Sequence, residues 1–250
     1  MSNLLELHKV SYVSMNESLY DVSFEVKKGQ NCVIFGPENS GLGVIFSVIM
    51  GFEEDFEGDV IYKGAFLKEL EYLEKHNYRK EIGYLHSDYG LISNMTVRQN
   101  ISLPLEYHSK LSGREIKQFV DDLIYDLNLD SCKSFRPVDL SNSEALRTAY
   151  ARSIAMDPEM LLIEHAFEKQ SPLNIQTFMA SLRSRANEDD KSTLFITYEP
   201  QSFVDLGDIF VMLFNGRVVY KGTKSNYLTT DNPYVVQYKR MASTGPMVLL

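Results

Sequence analysis

The chain has no apolar run long enough to cross a membrane. The longest candidate, Val44 to Phe52, falls far short of the ~20 residues that a spanning helix needs. Basic clusters are missing too. The net charge is −9 and no stripe of Lys and Arg forms, which argues against a nucleic-acid partner and against direct docking on anionic lipid. A partner is therefore expected to be protein. Cysteine is scarce: Cys32 and Cys132 stand far apart, so free thiols in a reducing compartment are expected. The N-terminal MSNLLELHKV has no basic stretch ahead of an apolar one and reads as lacking a signal peptide. Internal repeats and low-complexity tracts are absent. What remains is an ordinary globular composition, with 44% hydrophobic and 24% charged residues over 250 positions, ample for a core.

Leu4–Val13 and Leu19–Val26 mix β-branched and aromatic residues in rough alternation and read as strands. NCVIF (31–35) is a short apolar run of the buried parallel kind, and it stops abruptly at GPENSGLG (36–43). VIFSVIMGF follows, apolar nearly all round, as in a buried helix. Strand, glycine-rich turn and buried helix open a βαβ unit. Residues 91–144 read as a helical insertion, in which Ile116, Phe119, Val120, Leu123, Ile124 and Leu127 recur every three or four positions. A further helix is expected at 143–156. Strand pattern resumes at MLLIEH (160–165), TLFITY (193–198) and DIFVMLF (208–214). Asn215-Gly216 then signals a tight hairpin into RVVYKG (217–222). Apolar strands alternating with helices predict a mainly parallel α/β sheet.

GPENSGLG has the spacing of a phosphate-binding loop, in which successive backbone N–H groups and a helix N-terminus converge on phosphate oxygens. A complete motif continues with Lys, for the β- and γ-phosphates, and then Ser or Thr, for Mg²⁺. Here those positions hold Leu42 and Gly43. The spacing alone also fits a plain glycine-rich turn.

The surrounding blocks add to it. GPENSGLGV, IGYLHSDYGLISNMTVRQNISLPLEYH (82–108), LSNSEALRTAYARSIAMDPEMLLIEHAF (140–167) and TLFITYEPQSFVDLGDIFVMLFNGRVVYKG (193–222) resemble, in order and spacing, the conserved blocks of ABC transporter ATPases. FEKQSPL (167–173) and NPYVVQYKRMASTGPM (232–247) resemble the Mla/Mce-type phospholipid-transport branch of that family. The resemblance implies a P-loop NTPase (RecA-like) ABC nucleotide-binding domain. Its core would comprise 1–90 and 145–222 with an antiparallel β subdomain, its helical signature subdomain 91–144, and its C-terminal dimerisation arm 223–250. It also implies a transmembrane permease partner, contacted near 84–107, and a second ATPase subunit, identical or paralogous. Membrane contact would be only through the permease, on the cytoplasmic face of the inner membrane.

Against the family pattern most chemical side chains are replaced. The Q-loop glutamine is Ser87, and the signature reads Leu140, Ser141, Asn142, Ser143, Glu144. The Mg²⁺ carboxylate is Glu164, the catalytic glutamate His165, the D-loop aspartate Ser171 and the switch histidine Tyr198. Residual nucleotide contacts would fall to Tyr12, at the adenine-stacking position, and to Gly36, Asn39, Ser40, Gly41, Leu42, Gly43 and Val44. Phosphoryl transfer depends on positioning and on stabilising charge, and a loop without its Lys loses a close Coulomb partner. Glu144, where the family faces a partner's γ-phosphate, would repel it. The expectation is a subunit with no intact catalytic residue, no metal site, and weak or absent ATP and Mg²⁺ binding.

Bland readings stand beside these. Tyr12 can be a strand-edge aromatic, Ser141 a helix cap, and the carboxylates of 115–130 a solvated face. A rewired site at Glu164, His165 and His86 is disfavoured, because successive strand residues point to opposite faces. Two further functions stay open: an active ATPase with unusual site residues, and a free-standing regulatory module.

Overall fold

A computed structural model describes residues 2–15, 17–186 and 190–248. Down the chain run β1 (Asn3–Val13), β2 (Ser18–Lys27), β3 (Cys32–Phe35), α1 (Leu42–Ile49), β4 (Glu57–Tyr62), β5 (Ala65–Phe66) and α2 (Tyr72–Lys80). Next come β6 (Ile82–Leu85), α3 (Val97–His108), α4 (Gly113–Asp126), α5 (Asn142–Ile154), β7 (Met160–Glu164) and α6 (Pro172–Ala186). The chain closes with β8 (Ser192–Thr197), β9 (Ile209–Phe214), β10 (Arg217–Thr223), α7 (Lys224–Thr229) and α8 (Pro233–Lys239). Two compact units result, Met1–Arg79 with Ser192–Leu250, and Lys80–Lys191. Among the described residues no helix is long and apolar enough to cross a membrane.

The first unit holds two sheets. One is antiparallel, in the order β2-β1-β4-β5, with the Leu5, Leu7 and Val10 side of β1 buried. In the other, β3 lies between β8 and β9 and parallel to both, and β10 pairs antiparallel with β9. All four residues of β3 are buried, which is why its sequence is apolar without alternation. Asn215 and Gly216 both have positive φ, 47° and 72°, as a two-residue hairpin between β9 and β10 requires.

The C-terminal segment packs on its own unit. Tyr227 is fully buried, stacked on Phe210 at 4.2 Å and edge-on to Phe35 at 5.6 Å, with the Lys239 ammonium 4.0 Å from its ring centre. Asn232 caps α8 by accepting from the amides of Tyr234 and Val235. Gln237, buried, donates to the carbonyl oxygens of Met247 and Ala242 and accepts from the Met247 amide, which fastens the tail.

In the second unit β6 and β7 pair in parallel. The apolar stripe of α4 buries Ile116, Val120, Ile124 and Leu127, while Phe119 sits at its half-exposed rim. Helix α3 escapes the periodicity reading because Pro104 and a run of polar residues interrupt its pattern. A Thr96–Gln99 capping box starts it. Fully buried Asn100 pins the preceding loop, donating toward the carbonyls of Ile92, Met95 and Thr96 and accepting from the Ile92 amide.

Tyr227→Ala should remove the aromatic anchor of the tail and cost about 3–5 kcal/mol. Equilibrium urea unfolding of wild type and variant measures it, and a cost under about 1 kcal/mol would show that the anchor carries no such weight.

Candidate functional site

The glycine-rich loop leaves buried β3 and turns into α1 within the first unit. A Cβ on Gly36 would lie 2.2 Å from the Leu213 carbonyl oxygen and 2.7 Å from Ser40 Oγ, so only glycine fits there. Gly41, at φ 94°, is the N-cap of α1, and a side chain there would collide with Leu19 and Ser18. Asn39 also takes a left-handed conformation, at φ 59°. Ser40 is buried, its hydroxyl has no hydrogen-bond partner among the described residues, and its carbonyl accepts from the Gly216 amide 3.1 Å away. The loop therefore has a shape imposed by the strands around it.

Its side chains differ from the Lys and Ser or Thr of a complete phosphate-binding motif. Leu42, at the lysine position, is 2% exposed and belongs to the core, as does Val44. Gly43 offers no hydroxyl. Its amide donates instead to Glu17 Oε2, 3.2 Å away. Glu17 is delivered by the turn between β1 and β2, where the Ser14 hydroxyl donates to the Glu17 carbonyl oxygen and accepts from the Glu17 amide. Beside the loop lies a cavity of about 410 Å³ lined by Tyr12, Ser14, Glu17, Gly43, Val44, Ser47 and Glu53. Tyr12 is therefore at the cavity, but its hydroxyl is bonded to the Glu53 carboxylate, and that bond raises its pKa above the usual phenol value. Among the described residues the cavity lining carries two carboxylates and no cation, so the field it presents to an anionic ligand is negative.

Tyr198 leaves the end of β8 half-exposed. Its contact with the loop region is through backbone: the Tyr238 hydroxyl of α8 lies 2.7 Å from the Tyr198 carbonyl oxygen and 2.9 Å from that of Gly36. With one proton it donates to one of them at a time. Burial raises the Tyr238 pKa, so the hydroxyl stays a donor at neutral pH.

In the second unit, the strand-alternation argument meets a different geometry. Strand β7 ends at Glu164, and His165 follows at φ 48°, outside the strand. The imidazole that meets Glu164 is His86, with Nε2 3.6 Å from Glu164 Oε2. Its Nδ1 faces Asp88 Oδ1 at 2.9 Å and Ser87 Oγ at 3.4 Å. Buried Glu164 also accepts from the Tyr84 hydroxyl at 2.8 Å, and burial, then the Glu164 charge, push that phenol's pKa well up. His165 lies 3.2 Å from Glu168 through Nδ1. Burial, helped by His86, lowers its pKa to about 4, which leaves it neutral at neutral pH. Among the described residues no group of three or more His, Cys, Asp and Glu is placed to hold a metal ion. By sequence His86 is grouped with Glu164 and His165, while Tyr84 and Asp88 carry no signal there.

The signature segment explains its own acidic residue. Ser141 caps α5, its hydroxyl accepting from the Glu144 amide, while Glu144 Oε2 accepts from the Ser141 amide at 2.8 Å and hydroxyl at 2.7 Å. These two bonds hold the Glu144 carboxyl below its ordinary pKa of 4.5. Asn142 donates to the Lys169 carbonyl oxygen, Ser143 receives Arg147 on its own carbonyl, and Gln170 bonds both Tyr89 and the Asn142 carbonyl. The Ser171 hydroxyl accepts from the Asn174 amide at the start of α6.

A phosphate-type loop opening a helix from a buried parallel strand, beside an antiparallel sheet and with a capped signature helix, defines an ATP-binding-cassette fold. Residues 19–168 match the family model described as ABC transporter, and the chain belongs to that family. It is 26% identical over 247 residues to the intermembrane phospholipid transport system ATP-binding protein MlaF of Haemophilus influenzae, covering 98% of this chain and 93% of that protein. It is 31% identical over 222 residues to the molybdate/tungstate import ATP-binding protein WtpC of Pyrococcus abyssi, covering 88% of this chain but 62% of that longer protein. Among solved structures it superposes on cbiO1 from Clostridium perfringens with a TM-score of 0.81 at 19% identity, covering 93% of both chains. The dimeric ABC cassette MJ0796 bound to ADP and Pi superposes with a TM-score of 0.79 at 23% identity, over 88% of this chain and 98% of that one.

Leu42→Lys, which restores the family's residue, should bury an ammonium in the core and lower the melting temperature by roughly 5 °C or more, without creating ATP binding. Differential scanning calorimetry with and without ATP reads both effects. The Glu144 carboxyl sits lower in the folded chain than in the unfolded one, so its cap is fully stabilising above the ordinary carboxylate range and is lost as pH falls through the lowered value. Acid unfolding of Glu144→Gln should therefore be less steep below about pH 4.5 than that of wild type.

Proposed function

We propose that this chain is a pseudo-ATPase subunit of a lipid-transporting ABC complex of the Mla/Mce type. It docks on a transmembrane permease at the cytoplasmic face of the inner membrane, pairs with a second ATPase subunit, itself or a paralogue, and braces the complex without turning over ATP. The observation that carries this reading is buried Leu42: the position where the family presents a cation to phosphate is here part of the hydrophobic core. The lipid branch is supported by the likeness to MlaF along 98% of the chain. In this reading 1–90 and 145–222 keep the shape of the ATPase core, 91–144 is the helical subdomain on the permease side, and 223–250 serves the subunit contact.

The competing reading is an active ATPase with unusual chemistry, and it would rest on the His86–Glu164 pair. One preparation separates the two. Tagged chain purified from its own host should bring down a polytopic membrane protein, and the purified chain should release no phosphate from Mg²⁺-ATP above a protein-free blank. Mg²⁺-dependent phosphate release that Glu164→Gln abolishes would overturn the proposal.

A further inference from the structure

Helix α1 begins with a glycine N-cap and has no side-chain cap from that residue, nor any acidic residue in its first turn. Its first amides need acceptors, and its N-terminus favours negative charge. In a phosphate-binding loop the ligand supplies both. Here the Glu17 carboxylate, reaching over from the β1–β2 turn, accepts from the Gly43 amide. The fit is close from both sides: a Cβ on Gly43 would lie 3.3 Å from Glu17 Oε2. Glu17 is held there by its own backbone, which bonds twice to Ser14 Oγ and once to the Ser14 amide.

We infer that Glu17 is an internal substitute for phosphate: a specificity-determining residue whose carboxylate occupies the anion position of the loop and excludes phosphate-bearing ligands from it. The inference rests on the pseudo-ATPase reading and deepens it. Having Leu42 and Gly43 in place of a lysine and a hydroxyl would leave the loop merely weak. An internal carboxylate makes it occupied, satisfying the amide and repelling an incoming anion at the same time. Glu53 adds negative charge to the same cavity but is bonded to Tyr12, not to the loop. The two carboxylates therefore differ in role: Glu17 holds the amide, while Glu53 contributes only its field.

The probe is inorganic pyrophosphate, which tests the loop without help from a base or ribose. In full-length chain labelled with ¹⁵N-glycine, the Gly43 amide resonance reports on its acceptor. In wild type, pyrophosphate should leave that resonance unmoved up to about 10 mM, as a carboxylate already in contact and of like charge requires. Glu17→Ala should free the amide, so that pyrophosphate shifts it saturably with an affinity gain of about tenfold or more. Glu17→Gln keeps a neutral acceptor of the same shape and should gain less than Glu17→Ala; it also carries the test if the alanine variant folds poorly. Glu53→Gln removes a charge without freeing the amide and should gain least.

The inference is overturned if pyrophosphate moves Gly43 equally in wild type and Glu17→Ala. It is also overturned if neither Glu17 variant gains, or if Glu53→Gln gains as much as Glu17→Ala. Failure of the functional reading would show separately, as Mg²⁺-ATP turnover by the wild-type chain.

Discussion

The first turn of a helix carries amides with no partner inside the helix, and something must accept from them. In this protein side chains of the chain itself do so at the starts of α1 and α5. Glu17 accepts from the Gly43 amide at α1, and Glu144 closes a reciprocal capping box with Ser141 at α5. Each lies where the ABC pattern leads one to look for a phosphate contact. The same hydrogen-bonding demand that makes such helix ends bind anions is met internally at these two positions. Leu42 is absorbed by the core and the Gly43 amide is bonded to Glu17.

What keeps the loop in its family shape is backbone geometry. Gly36 is required by the approach of the Leu213 carbonyl, Gly41 by its left-handed conformation, and the Ser40 carbonyl is tied to the β9–β10 turn through Gly216. These constraints come from strand packing and do not depend on which side chains stand at positions 42 and 43. The C-terminal segment adds to them: Tyr238 reaches the Gly36 carbonyl, and its ring packs 5.5 Å from Phe35 at the end of β3.

Much of the fold was legible in the sequence because it is written in periodicity and punctuation. The apolar run of β3, the Asn215-Gly216 turn and the α4 stripe each have a local cause. Helices α2 and α3 were not read as separate elements, since α2 buries only Tyr78 and α3 is broken up by Pro104 and polar residues. The loop glycines and the replaced family positions were legible by spacing. Glu17 and Glu53 are not legible there, because each depends on a tertiary approach between residues distant in the chain. His165 illustrates the reverse: strand alternation predicted its direction, but the strand stops one residue earlier and the backbone turns left-handed. By type alone Glu144 predicts repulsion of phosphate, and the geometry of the helix start adds its local task as the cap partner of Ser141.

The central claim is that the phosphate loop is filled by the protein itself. The most direct measurement is an experimental structure of the complete complex determined with ATP and Mg²⁺ present, read at residues 36–43. The account predicts no nucleotide at that loop, with the Glu17 carboxylate still within hydrogen-bonding distance of the Gly43 amide. A triphosphate bonded to the loop, with Glu17 displaced from Gly43, would contradict it.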